Sequence, residues 1–244
     1  MDEAKKKEIL NAFLSFFKET FAMHHLERTN KLRKLKVFTY NPFLFEYLSN
    51  FLTGNSDAKS LAKSLIYPRA LGTSPSTIFG QNMQNAAPNI LKSVIGSTTS
   101  GIDIDFIDQL DGRKKYCQVK SGPTTINKDD VTTINSHFEG VRNLARTNNL
   151  QVNIDDLIVG VLYGTPKQLS ANYKKVSRIY PVIVGKDFWH RLTGDENFYS
   201  SLIVTAGTAA KEINGAKYLE KVIDDLASDI QTNFIDKVLE KESN

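Results

Sequence analysis

Cysteine occurs once, at Cys117, so the chain has neither an intrachain disulfide nor the thiolates of a structural zinc cluster. Its four histidines, His24, His25, His137 and His190, lack metal-ligand spacing of the HExxH kind, which argues against zinc. No apolar run approaches the roughly 18 residues of a spanning helix, so no membrane partner is expected. The opening MDEAKKKEIL carries charges where a signal peptide has its apolar centre, and a cytoplasmic location is the expectation. Neither GxxxxGK[ST] nor GxGxxG is present, which removes the phosphate-cradling loops of NTPases and dinucleotide enzymes. Repeats, low-complexity tracts and long linkers are also missing. Acids disappear altogether between Asp57 and Asp103.

What remains is an ordinary globular composition. The 244 residues are 41% hydrophobic and 24% charged, enough for one large domain or two small ones. Lys and Arg number 31 against 27 acids, a net charge of +4 with a pI near 8.9. This mild basicity permits nucleic-acid binding without requiring it.

The stretch GIDIDFIDQLDGRKKYCQVKSG, from Gly101 to Gly122, carries most of the chemistry. Ile102, Ile104 and Phe106 alternate with Asp103, Asp105 and Asp108, the period of a strand with one polar face. Asp111-Gly112 signals a two-residue hairpin turn, and a second strand from about Lys114 to Lys120 should return beside the first. Centred there, the turn pairs Asp105 with Gln118 and Asp103 with Lys120. Period-two alternation then gathers Asp103, Asp105, Gln118 and Lys120 on one face, with Cys117 on the other. Two carboxylates, an amide oxygen and an ammonium are costly to bury unless paired or bound to metal. They suit phosphodiester hydrolysis, because Mg²⁺ prefers hard oxygen ligands and retains water that can attack. The same residues also suit a solvent-facing hairpin in which Lys120 is only a cross-strand ion-pair partner.

Asp103, fourteen residues, then Gln118-Val119-Lys120 resembles the PD-(D/E)xK nuclease signature in its variant with glutamine for the second acid. Gly101-Ile102-Asp103 is similar to the GID of Mrr-like nucleases, and the wider chain, from about Asn41 to Tyr199, resembles type II restriction endonucleases. The resemblance implies an α/β, restriction-endonuclease-like core with a central mixed sheet flanked by helices. It implies Asp103, Gln118 and Lys120 as catalytic residues, with Asp103, Gln118, the Val119 carbonyl and Asp105 as metal ligands. Motif matching favours Asp103 as principal ligand, while the hairpin geometry favours Asp105. The implied cofactor is Mg²⁺, which Mn²⁺ can replace. Related nucleases often carry a glutamate on the helix before the hairpin; here Gln81 or Gln84 is the candidate for that place.

Elsewhere the pattern is mainly helical. Asp2 to Glu27 reads as an amphipathic helix rich in phenylalanine, suited to a helix or subunit interface. Arg28 to Lys36 holds five basic residues in nine, either a phosphate-contacting edge or a solvated helix end. Asn41-Pro42 should start a helix that stops near Gly54, and a shorter one should run from Ser56 to Leu65. PRALGTSPSTIFG then reads as an irregular loop, a plain connector or a DNA contact through Arg69 and Thr73. A helix over Gln81 to Val94, kinked or divided at Pro88, leads to the Gly96–Gly101 approach. Its hydroxyls, Ser100 among them, are candidates for the scissile strand.

Asn127 should cap a helix running to Arg146, with His137 either a general acid or base or an ordinary surface histidine. Ser121, Lys128 and Arg142 complete the DNA-contact candidates. Leu157 to Tyr163 reads as an interior strand, and Ile179 to Val184, interrupted by Pro181, as one nearer an edge. Trp189 should be core, the C-terminal part helical, and the final KVLEKESN frayed.

These elements predict one endonuclease domain over 1–244, with a helical part to about 66, a catalytic core over 67–200 and C-terminal helices from 201. The expected function is sequence-specific cleavage of double-stranded DNA to 5′-phosphate and 3′-hydroxyl ends. A homodimer is expected, with a DNA methyltransferase as system partner. A repair, junction-resolving or methyl-directed nuclease would share every motif. A non-catalytic DNA-binding module would keep the fold and lose the metal.

Overall fold

A computed structural model describes residues 1–97 and 99–236; Thr98, in the Gly96–Gly101 approach, and the KVLEKESN tail lie outside the described residues. The chain divides into two compact units, Met1–Phe16 with Gly80–Thr208, and Phe17–Phe79 with Ala209–Asn244.

The first unit holds a four-stranded sheet in the order β1 (Ile104–Ile107), β2 (Lys114–Lys120), β3 (Leu157–Val161), β4 (Val182–Val184). β1 runs antiparallel to β2, and β2, β3 and β4 are parallel, so the sheet is mixed. Parallel neighbours need a crossover. α6 (Lys128–Thr147) supplies the one between β2 and β3, and α7 (Ala171–Val176) the one between β3 and β4. β3 is buried along its whole length, as its unbroken apolar run requires. Leu157, Val159 and Val161 pack with Ile134, Phe138 and Val141 of α6. Gly160 turns the other way against Phe188 of α8 (Lys186–Thr193), whose ring leaves no room for a Cβ. Trp189 is core, its indole N–H donating to the Leu162 carbonyl at 2.9 Å. β4 is an edge strand, as β1 is, and Pro181 lies just before it with its carbonyl accepting the Val159 N–H at 2.9 Å.

The second unit is helical. α4 (Ala58–Pro68) and α10 (Gly215–Ile230) share a core of Leu61, Ala62, Ile66, Val222, Ile223 and Leu226. α3 (Pro42–Thr53) begins with the Asn41 side chain accepting the Phe43 N–H at 2.9 Å and ends at Gly54 in the left-handed region. Only Phe45 and Ser49 of this helix are buried.

Several local expectations are corrected. The long amphipathic stretch is α1 (Glu3–Ser15) and α2 (Ala22–Asn30) joined by a π-helical turn, Phe16–Phe21. The segment read as an irregular loop is helical, a π-turn at Arg69–Thr73 running into α5 (Ser74–Ile95), with the Ser76 and Thr77 hydroxyls donating to the Gly72 and Thr73 carbonyls at 3.0 and 2.9 Å. α5 continues through Pro88 without dividing.

The hairpin turn is also longer than Asp111-Gly112 alone. Asp108 N–H reaches the Arg113 carbonyl at 2.9 Å, leaving four residues in the loop with Gly112 at φ 70°. The cause is Asp108, fully buried, whose carboxylate accepts the Leu110 N–H at 2.9 Å and the Arg191 guanidinium at 2.7 Å. Beneath it, buried Lys115 lies between Asp111 at 2.8 Å and Asp156 at 3.2 Å. Removing one partner of a buried pair strands the other. Asp108→Ala is therefore expected to lower the unfolding free energy in urea by about 2–4 kcal/mol. Asp111→Ala, at a half-exposed carboxylate, should cost about 0–1 kcal/mol. Equal urea midpoints for the two variants would remove Asp108 as the lock on this turn.

Candidate active site

The four-residue turn changes the strand register. Asp105 pairs with Tyr116, and Ile104 with Cys117, so the expected pairings of Asp105 with Gln118 and Asp103 with Lys120 are not made. The Asp103 N–H donates to the Cys117 carbonyl at 3.1 Å, the residue already paired with Ile104. Two residues of the first strand thus lie against one of the second, as in a β-bulge, which bends the strand and re-aims a side chain. Asp103 turns its carboxylate onto the second strand, where Oδ2 accepts the Val119 N–H at 2.7 Å. Asp105 goes elsewhere: its carboxylate is 2.6 Å from Lys114 Nζ, which also lies over the Tyr116 ring.

Burial pushes the Asp103 carboxyl above its ordinary value, and the Val119 N–H with the nearby positive charge of Lys120 only partly restores it. N–H and C=O of a strand residue point to the same edge, so the Val119 carbonyl faces the edge where Asp103 lies. An acidic oxygen and a backbone oxygen therefore face the same strand edge.

Gln118 is buried, and its amide is held at both hydrogens. Nε2 donates to the Gly101 carbonyl at 2.7 Å and contacts His137 Nδ1 at 2.5 Å. A carbonyl can only accept, so the amide nitrogen is the atom turned toward Gly101, and Nδ1 of His137 is then an acceptor. Lys120 is largely enclosed, with Nζ 3.6 Å from Asp130 Oδ1 on α6. Asp130 also closes the capping box of that helix, its Oδ2 accepting the Asn127 N–H at 2.9 Å. Of the two glutamines on α5, Gln84 reaches this region: its Oε1 accepts the Ser121 hydroxyl at 3.0 Å.

The DNA-contact candidates are dispersed. Ser121 is buried, its hydroxyl committed to Gln84, so it is not a surface contact. Lys128 begins α6 and is exposed; Arg142, about 21 Å further along the same helix at its 1.5 Å rise, is exposed too. Ser100 lies exposed in the turn before Asp103. Arg69 and Thr73 belong to the second unit, with Arg69 over the Phe38 ring at 5.9 Å and the Thr73 hydroxyl 3.5 Å from the Pro68 carbonyl.

Sequence reasoning gave little weight to His137 and none to Asp130 beyond its helix start. A signal for both exists. Asp130, Ile134, His137 and Val141 recur at helical spacing, so the two polar residues share the stripe that faces the sheet.

Among the described residues no three His, Cys, Asp or Glu side chains cluster as a metal site. The available donors are instead one carboxylate and neutral oxygens, from Asp103, Val119 and Gln118. Such a set suits a hard cation that keeps much of its own water, and it does not suit zinc. With a lysine beside a carboxylate at the end of a strand, the arrangement can orient a water and offset charge on a phosphate.

No curated protein matches the chain. The model of the family described as type II restriction endonuclease EcoO109I matches residues 8–214, which takes in the whole sheet, the Asp103–Lys120 centre and the helices around them. The chain therefore belongs to that family of type II restriction endonucleases and is a DNA endonuclease.

Proposed function

We propose that this endonuclease is a Mg²⁺-dependent variant of the PD-(D/E)xK type, with glutamine in the place of the second acid. It would cut both strands of a specific DNA site to 5′-phosphate and 3′-hydroxyl ends. The observation that carries the reading is the Asp103 carboxylate, partly buried and with its affinity for protons raised, turned onto the strand that bears Gln118 and Lys120. Desolvation of a carboxylate is destabilising unless a cation shares its site. Asp103, the Gln118 side-chain oxygen and the Val119 carbonyl would hold Mg²⁺, or Mn²⁺ in its place. When bound, the ion supplies an acidified water and neutralises phosphate charge. Lys120 would orient the attacking water and steady the charge that develops on phosphorus. Asp105, engaged by Lys114, would stay outside the ligand set. Lys128, Ser100 and Arg142 would contact the DNA backbone. A DNA methyltransferase would protect the host's own sites without touching this chain.

Identical cuts in both strands call for two centres related by a two-fold axis. The face that suits a second copy is on α3, not on the phenylalanine-rich first helix. Phe43 and Phe51 are 86% and 78% exposed, and Leu44, Tyr47, Leu48 and Leu52 fill the surface between them. An apolar stripe of this extent on a lone chain marks an interface.

Three outcomes test this reading. Lys120→Ala should abolish cutting of phage DNA in Mg²⁺ while binding in Ca²⁺ is retained; digestion at the wild-type rate would refute the assignment.

The raised Asp103 value has a definite sign. Between the ordinary carboxylate range and the raised native value the folded state binds the proton more tightly, so stability falls as pH rises through that window. The full cost is present once the pH lies above the raised native value. Asp103→Asn keeps the acceptor for Val119 and removes the charge, so its metal-free melting temperature near pH 7.5 should rise. Each kcal/mol relieved corresponds to about 2–4 °C for a chain of this size. The stabilisation that Mn²⁺ gives the wild type should vanish in the variant. A metal-free midpoint at or below the wild type would overturn the electrostatic part of the argument.

Finally, Phe43→Asp with Phe51→Asp should sediment as a monomer and convert double-strand cutting into slow nicking. An intact dimer would place the interface elsewhere.

A further inference from the structure

We propose that His137 is a positioning residue for Gln118, holding its amide in the orientation that offers the oxygen to the metal; this rests on the metal reading above. A carboxylate presents an oxygen whichever way it is turned. A glutamine presents an oxygen in one orientation and an NH₂ group in the other, and the second repels a cation. A centre with glutamine at this position therefore needs something to choose the orientation.

The Gly101 carbonyl makes that choice, and His137 holds the orientation it selects. The Gly101 carbonyl takes one Nε2 hydrogen at 2.7 Å and His137 Nδ1 takes the other at 2.5 Å. Reversing the amide would set Oε1 against the Gly101 carbonyl, lone pair to lone pair, and His137 could meet it only by moving its proton to Nδ1. Gly101 could hold no side chain here. Its φ is 77°, and a Cβ would lie 2.9 Å from His137 Cγ, so the ring packs flush on the glycine backbone. α6 delivers His137 from the buried stripe that also carries Ile134 and Val141. The imidazole touches neither Asp103 nor Lys120 by any hydrogen bond among the described residues. It acts through Gln118, as outer partners of metal ligands do.

The test replaces the ring and then restores its acceptor. His137→Phe keeps a planar ring without the Nδ1 lone pair; His137→Asn places Oδ1 near where Nδ1 stood. Mn²⁺ is titrated calorimetrically into the DNA-free protein, and the Mg²⁺ concentration giving half-maximal cutting of phage DNA is read in parallel. Metal-free melting temperatures show that each variant is folded. His137→Phe is expected to weaken Mn²⁺ binding about 10–100-fold and to raise the Mg²⁺ requirement by a similar factor, with the cutting rate at saturating Mg²⁺ much less affected. His137→Asn should recover most of the affinity. If His137→Phe binds Mn²⁺ within twofold of the wild type, the inference fails alone and the metal reading stands. If His137→Asn is as weak as His137→Phe, the lone pair is not what matters, and the inference fails. If the wild type takes up no Mn²⁺, both readings fall together.

Discussion

One hydrogen bond from a carboxylate to the backbone organises the Asp103–Lys120 end of the sheet. Asp103 Oδ2 accepts the Val119 N–H at 2.7 Å, in the place where a further backbone carbonyl of the first strand would otherwise pair. The bulge that puts Asp103 and Ile104 together against Cys117 makes this possible, because it ends the regular ladder one residue early. A side chain then takes over from the backbone as acceptor. Val119 keeps its partner, the strand keeps its place, and the acid is brought beside Gln118 and Lys120. At the far end of the hairpin, buried Asp108 holds the turn through Leu110 and Arg191. With both ends fixed, the register in between has no freedom to slip by the two residues that separate the observed pairing from the one a tight turn would give.

That slip marks the limit of what the sequence could disclose. The alternation of Ile102, Ile104 and Phe106 is a backbone property, and it identified the strand. The continuous run from Leu157 was legible because an interior parallel strand must be apolar on both faces. Asn127, Asn41 and Gly54 were legible as helix ends because capping is chemistry between near neighbours. The turn was misread because Asp108 prefers a partner, Arg191, that lies far along the chain. The stretch around Arg69 was misread because its glycine, proline and serines suggest a loop to any local rule. Its backbone is helical, with Ala70 buried in the core of the second unit. His137 was visible in principle, being in phase with Ile134 and Val141, but only the structure shows what the inward face of that helix meets.

The centre also has a shortage of negative charge that distinguishes it from a conventional two-acid site. The helix before the hairpin offers Gln84, and the second strand offers Gln118, so Asp103 is the sole carboxylate among these three positions. Fewer acids mean less mutual repulsion in the metal-free state, and a correspondingly weaker pull on a cation. The balance shifts from charge to geometry. In the proposed metal site neutral oxygens would bind only when aimed, so the hydrogen bonds around Gln118 and Ser121 would matter more than they would around glutamates.

Asp130 shows how the same helix serves both fold and chemistry. The start of α6 carries partial positive charge from its unpaired N–H groups, and Lys120 brings a full positive charge to the same end. Left alone, these would repel and drive the lysine into solvent. Asp130 stands between them: one carboxylate oxygen closes the capping box on Asn127, and the other lies 3.6 Å from Lys120 Nζ. That distance is too long for a tight hydrogen bond. The lysine is therefore held near Asp103 without a tight bond to its partner, as the role proposed for it toward a water or a phosphate oxygen requires. A shorter pair would stabilise the fold further and disarm the residue.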